Sequence, residues 1–441
     1  MQRQQRSILG IVLLTVLVDM VGFSVIFPLF PAMLEYYVGL EGPDSLLGKL
    51  VSILSRIGGG PLAVVALFGG TLGSAYSMLQ FVFAPVWGAL SDRIGRRPTL
   101  LVTLAGTAVA HVLWFVSGSF LVLMAARVVG GAMAGNVATA SAVVADVCAG
   151  RERAKGMGLL GASIGLGFVL GPAIGALAVR WDLLQAWPGG AAIGLNPFSA
   201  AAAAALLLAS TNLAWGLTRL PETFPVERRR RTVAIAPGRT IRPLAALRQL
   251  DYPGVRQTSL AYLLFTIAFA AMEFTLVFVA VERLAYRPDD NMWLFVFMGL
   301  TVTVVQGGLV RRLVPRYGER WVAARGIGLS VPGFVVIGLA RSSWTLYVGL
   351  ALLSVGSALV LPCLSALVSR YTPDDQQGLA LGVFRSSGAL ARAVGPLLGG
   401  ILYWRLGSWA PYHLGACLLL VPLAMALTLP PISARALAAE P

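Results

Sequence analysis

Ionisable side chains interrupt several of the long apolar runs in this sequence. The most informative are two carboxyl groups, Asp19 and Glu273, and two arginines in other runs, Arg127 and Arg385. A charge surrounded by hydrocarbon is costly, so such residues face a partner charge or a water-filled cavity and mark pathways for ions or substrates. A carboxyl group held there can take up and release a proton. We predict that Asp19 and Glu273 handle protons and bind substrate; a packing role as ion-pair partners is the alternative.

Arg385 has a neighbour on its own helix face, because Arg392 follows it by seven residues. A guanidinium cannot lose its proton, so a partly buried one requires an anion, and its planar fork suits a carboxylate. The small residues Ser386 and Ser387 leave room for a ligand. We predict that Arg385 binds anionic or acidic amphipathic substrates, while Arg392 reaches the membrane interface. An internal ion pair is the other interpretation of Arg385.

The sequence offers no catalytic or metal-binding pattern. Its cysteines, Cys148, Cys363 and Cys417, are scattered, and His111 and His413 stand alone. This spacing fits neither a disulfide framework nor a set of metal ligands. No nucleophile and base occur together, so we expect that the protein is not an enzyme and needs no cofactor.

A polar island separates two apolar runs, Gly88-Ala-Leu-Ser-Asp-Arg-Ile-Gly-Arg-Arg-Pro-Thr99. Its charged residues must sit where two membrane helices meet water; they are Asp92, Arg93, Arg96 and Arg97. Gly88 and Gly95 allow a close backbone approach and a sharp turn. The island is therefore predicted to be a tight loop between two spans. A charged hairpin that only sets the topology is the simpler interpretation.

The elements that must position these residues are membrane helices. With 57% hydrophobic and 12% charged residues, and a mean hydropathy of +0.79, the chain is too apolar for a soluble globular protein. A helix needs about 20 apolar residues to cross the hydrocarbon. We predict an all-α membrane protein with transmembrane helices at 8–34, 62–90, 98–117, 119–145, 156–179, 196–218, 257–281, 291–311, 321–340, 343–369, 378–402 and 409–430.

The net charge of +15 reports membrane topology. Most of the 34 Lys and Arg residues lie in the tails and in alternate loops, and such segments stay in the cytoplasm. We expect both termini in the cytoplasm, an inner (plasma) membrane location, and a monomer that contacts lipid and no nucleic acid. The first apolar run is too long for a removed signal peptide.

The two halves of the chain look like repeats. Residues 1–220 and 257–441 are predicted to form six-helix bundles, joined by a basic cytoplasmic linker at 221–256. Gly167-Phe-Val-Leu-Gly-Pro-Ala-Ile-Gly175 recurs as Ala391-Arg-Ala-Val-Gly-Pro-Leu-Leu-Gly399. Parallel repeats of this kind place a substrate site near the bilayer midplane between them. The stretch 46–57 reads as a short interfacial helix, and 243–250 as a surface helix in the linker.

The spacing G-x-L-x-D-R-x-G-R-R in the polar island closely resembles the loop between helices 2 and 3 of the major facilitator superfamily. This resemblance implies twelve helices in two pseudo-symmetric bundles. It also implies that Asp92, Arg93 and Arg97, with Gly88 and Gly95, latch the cytoplasmic side by charge contacts that break when that side opens. Asp146, at the end of the fourth span, is expected to be a gate or loop salt bridge beside Arg151 and Arg153.

Helix 5 carries a second resemblance, formed by Gly167, Gly171, Pro172 and Gly175. The pattern G-x-x-x-G-P-x-x-G is similar to the helix-5 motif of the facilitator exporters, which implies proton-driven export. Its last glycine is replaced by Ala176 here. Small residues that let helices approach closely are the alternative interpretation.

Further motifs resemble the tetracycline-exporter type of drug:proton antiporters. Helix 1 does so from Asp19 to Pro31. Arg127 matches the family's helix-4 arginine, which implies a role in proton transfer by tuning a nearby carboxyl group, and we predict that it also binds substrate. A salt bridge that orients helices is the alternative for Arg127. The runs 272–278 and 384–392 resemble the tetracycline-transporter-like branch, which includes an animal organic-anion transporter.

These resemblances imply an antiporter that exports drugs or organic anions by alternating access, with the proton gradient as its energy source. An uptake symporter or uniporter of the same fold is the alternative within transport. A receptor or scaffold that does not transport is the alternative outside it, and a flux measurement in vesicles separates them.

Overall fold

The computed structural model describes residues 3–56, 61–148, 150–225, 253–372 and 377–430, and these residues form helices and no strand. The N-terminal half contains α1 (Arg3–Ser24), α2 (Phe30–Glu41), α3 (Leu46–Arg56), α4 (Pro61–Ile94), α5 (Arg96–Phe115), α6 (Phe120–Met133), α7 (Asn136–Val147), α8 (Gly150–Ala178), α9 (Leu183–Ala186) and α10 (Ser199–Arg219). The C-terminal half contains α11 (Pro253–Leu284), α12 (Pro288–Val304), α13 (Arg311–Tyr317), α14 (Glu319–Leu339), α15 (Ser343–Tyr371), α16 (Gln377–Leu406) and α17 (Ala410–Thr428).

Most of these helices are long and apolar enough to cross a membrane. Among the described residues, 10 helical stretches meet both criteria, and three of them join a pair of helices, α6 with α7, α8 with α9 and α12 with α13. Two further helices, α4 with 34 residues and α16 with 30, have the length to span as well. The predicted all-α membrane fold is confirmed, and the helices are consistent with twelve spans.

Two predicted helices are interrupted. The first span ends at Ser24, and a short 3-10 segment, Phe27–Leu29, leads into α2 because Pro28 lacks the N–H that would continue the helix. The predicted helix 119–145 breaks after Met133. There the Trp87 side chain occupies the place where a Cβ on Gly135 would lie, and its Nε1 donates to the Ala132 carbonyl at 2.7 Å.

The interfacial helix expected near residue 50 is α3. Its Leu46 and Ile53 side chains are exposed, whereas Leu47 is buried against the bundle. A helix with an apolar face left uncovered by protein can lie along the membrane surface. Most of the linker, with its predicted surface helix at 243–250, lies outside the described residues.

Close packing of glycines joins helices within each half. A Cβ on Gly171 of α8 would lie 2.9 Å from the Val21 carbonyl oxygen of α1, and one on Gly399 of α16 would lie 2.8 Å from the Ala271 carbonyl oxygen of α11. Gly167 and Gly175 also face α1, and Pro172 lies inside the continuous α8. The repeated glycine pattern therefore holds α8 on α1 in one half and α16 on α11 in the other.

The halves meet through different helices. α4 packs along α16, and α8 packs along α12 and α15, so these three helix pairs join one half to the other. The surfaces between them enclose the central cavity.

Candidate functional site

A small cavity lies between the two halves, lined by helices from both. Its volume is about 40 Å³, which is room for a few water molecules rather than an organic substrate. Half of the lining residues are phenylalanines: Phe23, Phe27, Phe30, Phe168, Phe274, Phe278 and Phe295. The others are the small or apolar residues Gly69, Gly73, Ala270, Val277 and Pro396 and the ionisable residues Glu273 and Arg392. A cavity with aromatic walls, one carboxyl group and one guanidinium suits a ligand with a flat apolar body that also carries charged groups.

Glu273 and Arg392 are the ionisable residues of this lining. Arg392 Nη2 donates to Oε1 of Gln80 at 3.4 Å, a contact between α16 and α4 that joins the two halves. Its Nε has no hydrogen-bond partner among the described residues. Its guanidinium lies near the carboxyl groups of Glu273 and Asp19, which belong to opposite halves, but no carboxylate of a described residue lies within 4 Å of it.

Asp19 lies behind the cavity wall and is buried in the N-terminal half. Its Oδ1 accepts from Asn136 Nδ2 at 3.0 Å, and Oδ1 of Asn136 accepts from the Thr103 hydroxyl at 2.5 Å. These bonds fix the orientation of the amide, so its NH₂ group points at the carboxyl group. Asp19 Oδ2 has no partner in the described part of the chain. That oxygen can take a proton without loss of the Asn136 bond.

Arg127 is buried between two aromatic rings. Its guanidinium carbon lies 5.6 Å from the Tyr76 ring centroid and 5.5 Å from that of Trp114, so cation–π contacts stabilise the charge. No carboxylate of a described residue lies within 4 Å of it. Tyr76 packs 4.9 Å from the ring of Phe23, a cavity residue, and so connects Arg127 to the cavity. The predicted role of Arg127 in proton transfer stays a prediction.

Arg385 lies outside the cavity lining. Its guanidinium carbon is 5.9 Å from the Phe384 ring, which stacks on Tyr262 at 4.0 Å. The Nε and Nη2 atoms of Arg385 have no partner among the described residues. Its predicted contact with substrate therefore remains a prediction, and the arginine that reaches the cavity in this structure is Arg392. The sequence repeat contains the signal for this, since it aligns Arg392 with Phe168, another cavity residue.

The polar island forms a charge cluster around Arg96. Its Nη1 lies 2.6 Å from Oδ1 of Asp92, and its Nε lies 3.0 Å from Oδ2 of Asp146. The Arg96 backbone N–H donates to Glu222 at 3.0 Å, and the guanidinium stacks on Phe224 at 4.6 Å. Asp92 and Asp146 belong to the N-terminal half, and Glu222 and Phe224 lie at the start of the linker that follows it. The buried centre of the cluster is Arg96, which is not among the residues predicted to form the latch, Asp92, Arg93 and Arg97.

The other residues of the island have different surroundings. Gly95 has a φ of 112°, so it makes the sharp turn that was predicted. Gly88 lies inside α4 with open space where a Cβ would stand, so it makes neither the turn nor the close approach expected of it. Arg97 Nη2 donates to the Leu217 carbonyl at 2.9 Å, which places a cation on the last turn of α10. Arg93 is exposed.

The C-terminal half repeats this cluster with the charges exchanged. Gly318, with a φ of 79°, precedes α14 as Gly95 precedes α5. Glu319 then takes the position of Arg96, and its Oε2 lies 2.6 Å from Arg370 Nη1. Arg370 is the second-to-last residue of α15, as Asp146 is of α7. Each half therefore joins the start of its third span to the end of its fourth by one ion pair. The side chains of Arg151 and Arg153 lie outside the described part of the molecule.

Comparisons with known proteins agree with this architecture. The family model described as Major Facilitator Superfamily matches residues 12–316 and 293–440. Major facilitator superfamily domain-containing protein 10 of Homo sapiens is 35% identical over 443 residues, which cover 96% of this chain and 92% of that protein. Tetracycline resistance protein, class C, of Escherichia coli is 28% identical, over 95% of this chain and 96% of its own.

Solved structures show the same likeness. The crystal structure of the human organic anion transporter MFSD10 (TETRAN) superposes with a TM-score of 0.80 at 33% identity, over 96% of this chain and 100% of that one. The xylose transporter XylE from E. coli superposes with a TM-score of 0.72 at 14% identity, over 98% and 99% of the two chains, which shows the fold alone. With two repeated helical halves, a cavity between them and these relatives, the chain belongs to the major facilitator superfamily, a family of membrane transporters.

Proposed function

We propose that this protein is a proton-coupled antiporter that exports amphipathic small molecules, drugs or organic anions, by alternating access. The observation that carries the proposal is the arrangement of Glu273, Asp19 and Arg392, in which one cation lies near carboxyl groups of both halves, and two of the three residues line an aromatic cavity. The likeness to tetracycline resistance proteins and to an organic anion transporter supports export and the substrate class.

Antiport requires that proton and substrate exclude each other. An ionised Glu273 accepts a hydrogen bond from a hydroxyl or amino group of the substrate, while Arg392 holds an acidic group of the same molecule. Protonation of Glu273 removes that acceptor and leaves a second donor beside Arg392, so the substrate is released. Asp19 gives the proton a second buried position under the same cation.

The direction of coupling depends on which state of Glu273 the substrate prefers. A plain anion without a donor group gains from a protonated Glu273 and would move with the proton. A substrate that carries both acidic and donor groups gains from the ionised form and moves against it. We therefore expect antiport for flat molecules that carry both kinds of group.

We propose an inner (plasma) membrane location with both termini in the cytoplasm, on the strength of the basic loops at the linker end of the bundle. The protein would act as a monomer without a cofactor, and the proton gradient would supply the energy. Asp92, Arg96 and Asp146 would hold the cytoplasmic end of the N-terminal half together while the halves move.

Accumulation in proteoliposomes tests the proposal. The purified protein is reconstituted, an acidic lumen is imposed, and uptake of tetracycline is compared with uptake of fluorescein. Antiport predicts concentrative uptake of tetracycline with an acidic lumen and none with an alkaline one. Protein-free liposomes correct for passive distribution with pH. Accumulation with the opposite gradient would make the protein a symporter, and no uptake with either gradient would favour the receptor or scaffold.

A further inference from the structure

A second pocket opens at the end of the C-terminal half that lies opposite to the charge clusters. Its volume is about 640 Å³, and it is lined by Arg283, Gly338, Leu339, Arg341, Trp409 and His413. We call these residues the far-end pocket. They come from the ends of α11, α14 and α17 and from the loop after α14, so the pocket lies at the level where helices leave the membrane.

Arg283, one of the two arginines of the far-end pocket, is held in place by hydrogen bonds. Arg283 Nη1 donates to the Gly338 carbonyl at 2.8 Å and to that of Ala340 at 3.3 Å, and its Nε and Nη2 donate to the Ser408 hydroxyl at 3.2 and 3.0 Å. The His413 ring packs against Gly338, where a Cβ would lie 2.6 Å from its Cε1. The pocket wall is therefore built before any ligand arrives.

The second cation is free to bind. Arg341 is exposed and forms no hydrogen bond or ion pair with a described residue. No carboxylate of the described chain lies within 4 Å of Arg283 or Arg341, and the neighbouring Glu282 accepts instead from the Tyr403 hydroxyl. Two positive charges thus face one pocket without a protein anion.

The rim of the same pocket is apolar. Leu339 is 64% exposed and Trp409 is 47% exposed, although both lie where a helix meets the membrane surface. Tryptophan at this level orders its ring among lipid headgroups and acyl chains. The pocket therefore combines a cationic interior with an apolar edge, which is the complement of an amphiphile with an acidic head.

We propose that the far-end pocket binds an amphipathic anion, with its phosphate or carboxylate group between Arg283 and Arg341 and its apolar part against Leu339 and Trp409. The ligand of this pocket carries an acidic group on an apolar body. Two kinds of molecule fit that description, an anionic phospholipid of that leaflet and an organic anion released from the central cavity. Binding here requires no transport, so it stands independently of the proposed function.

Native mass spectrometry of the full chain in detergent provides the test. Phosphatidylglycerol and phosphatidylcholine are added separately to the parent, to Arg341→Gln and to Arg405→Gln. Arg405 is the matched control, since it is an exposed arginine at the same end, stacked on Trp404 at 4.8 Å and outside the pocket lining. Fluorescein binding is measured on the same three proteins without lipid, by fluorescence anisotropy.

The parent should retain phosphatidylglycerol in preference to phosphatidylcholine. Arg341→Gln should weaken retention about fivefold, the effect of one cation near a headgroup, and Arg405→Gln should leave it unchanged. The same loss for fluorescein but not for the lipid would identify the organic anion as the source. Equal effects of both substitutions, or no effect of Arg341→Gln on either probe, would overturn the proposal.

Discussion

Among single residues, Arg392 lies near both of the carboxyl groups that interrupt the apolar runs. It donates to Gln80 of the other half, and Asp19 and Glu273 are close enough to feel its charge. Because a guanidinium does not release its proton in proteins, the carboxyl groups are the ones whose protonation can change during the cycle. In the proposed antiport, the residue that moves the proton would be Glu273 or Asp19.

Replacing the two carboxyl groups separates coupling from binding. Glu273→Gln and Asp19→Asn keep the size of the side chain and remove the proton exchange, so pH-driven accumulation of tetracycline should be abolished. Exchange of labelled for unlabelled tetracycline, which needs no net proton movement, should continue at least in part. Glu35→Gln, an exposed carboxyl on α2, is the matched control and should behave as the parent. Full concentrative uptake in both cavity variants would contradict this assignment.

Arg385 is the residue for which ligand and structural roles are still open. Lysine keeps the charge but loses the planar fork, so Arg385→Lys should slow uptake of fluorescein more than uptake of a neutral or cationic compound. Arg385→Gln should enlarge that difference. Arg325→Lys, at an exposed arginine stacked on Trp321, controls for the loss of a guanidinium. An equal loss for every compound would assign Arg385 to the structure.

At the scale of elements, glycine contacts set the distance between α8 and α1. A Cβ on Gly171 would lie 2.9 Å from the Val21 carbonyl oxygen and overlap the Ser24 hydroxyl, whereas one on Gly161 would meet nothing within 4 Å. Gly171→Ala should destabilise the protein by about 1–3 kcal/mol through overpacking. Gly161→Ala, on the same helix, should leave stability unchanged or slightly higher.

Thermal unfolding in detergent measures the difference between these two variants. The unfolding temperature of Gly171→Ala should fall by several degrees, and transport should fall with it. If both alanine variants unfold like the parent, α8 does not depend on this contact.

The exchanged ion pairs predict a reciprocal rescue. Glu319→Arg or Arg370→Glu alone leaves two like charges in contact and should cost about 1–2 kcal/mol, because the carboxylate is mostly buried while the arginine is partly exposed. The double variant restores a pair of opposite charges, in the order that Arg96 and Asp146 have in the other half. It should recover most of the lost unfolding temperature. A double variant less stable than either single one would show that the residues around the pair, and not its charges, determine which position carries the arginine.

Only part of this helix arrangement can be predicted from the sequence. Apolar runs, the repeated glycines and the turn at Gly95 are local signals, and each is visible in the chain itself. The break after Met133 is not local, because it depends on Trp87 of α4, which is distant in sequence. Arg96 was missed as the cluster centre for the same reason, since Asp146 and Glu222 approach it only in the folded bundle.

At the scale of the whole molecule, the cavity is too small for the ligand it is proposed to carry. A volume of about 40 Å³ holds a few waters, so the halves must separate before a molecule such as tetracycline can reach Glu273 and Arg392. The main contacts between the halves are those of α4 with α16 and of α8 with α12 and α15, and these must slide or part. The ion-pair clusters lie inside single halves, which suits movement of each half as a unit.

Proton movement driven by substrate alone is the decisive measurement for proton-coupled antiport at Glu273. Proteoliposomes enclose the pH indicator pyranine, tetracycline is added outside without any pH gradient, and its entry is followed with a radioactive label. Antiport at Glu273 predicts that the lumen becomes alkaline as tetracycline enters, and that the pH change disappears in Glu273→Gln. Entry of tetracycline with a lumen that stays constant or becomes acidic would contradict the account.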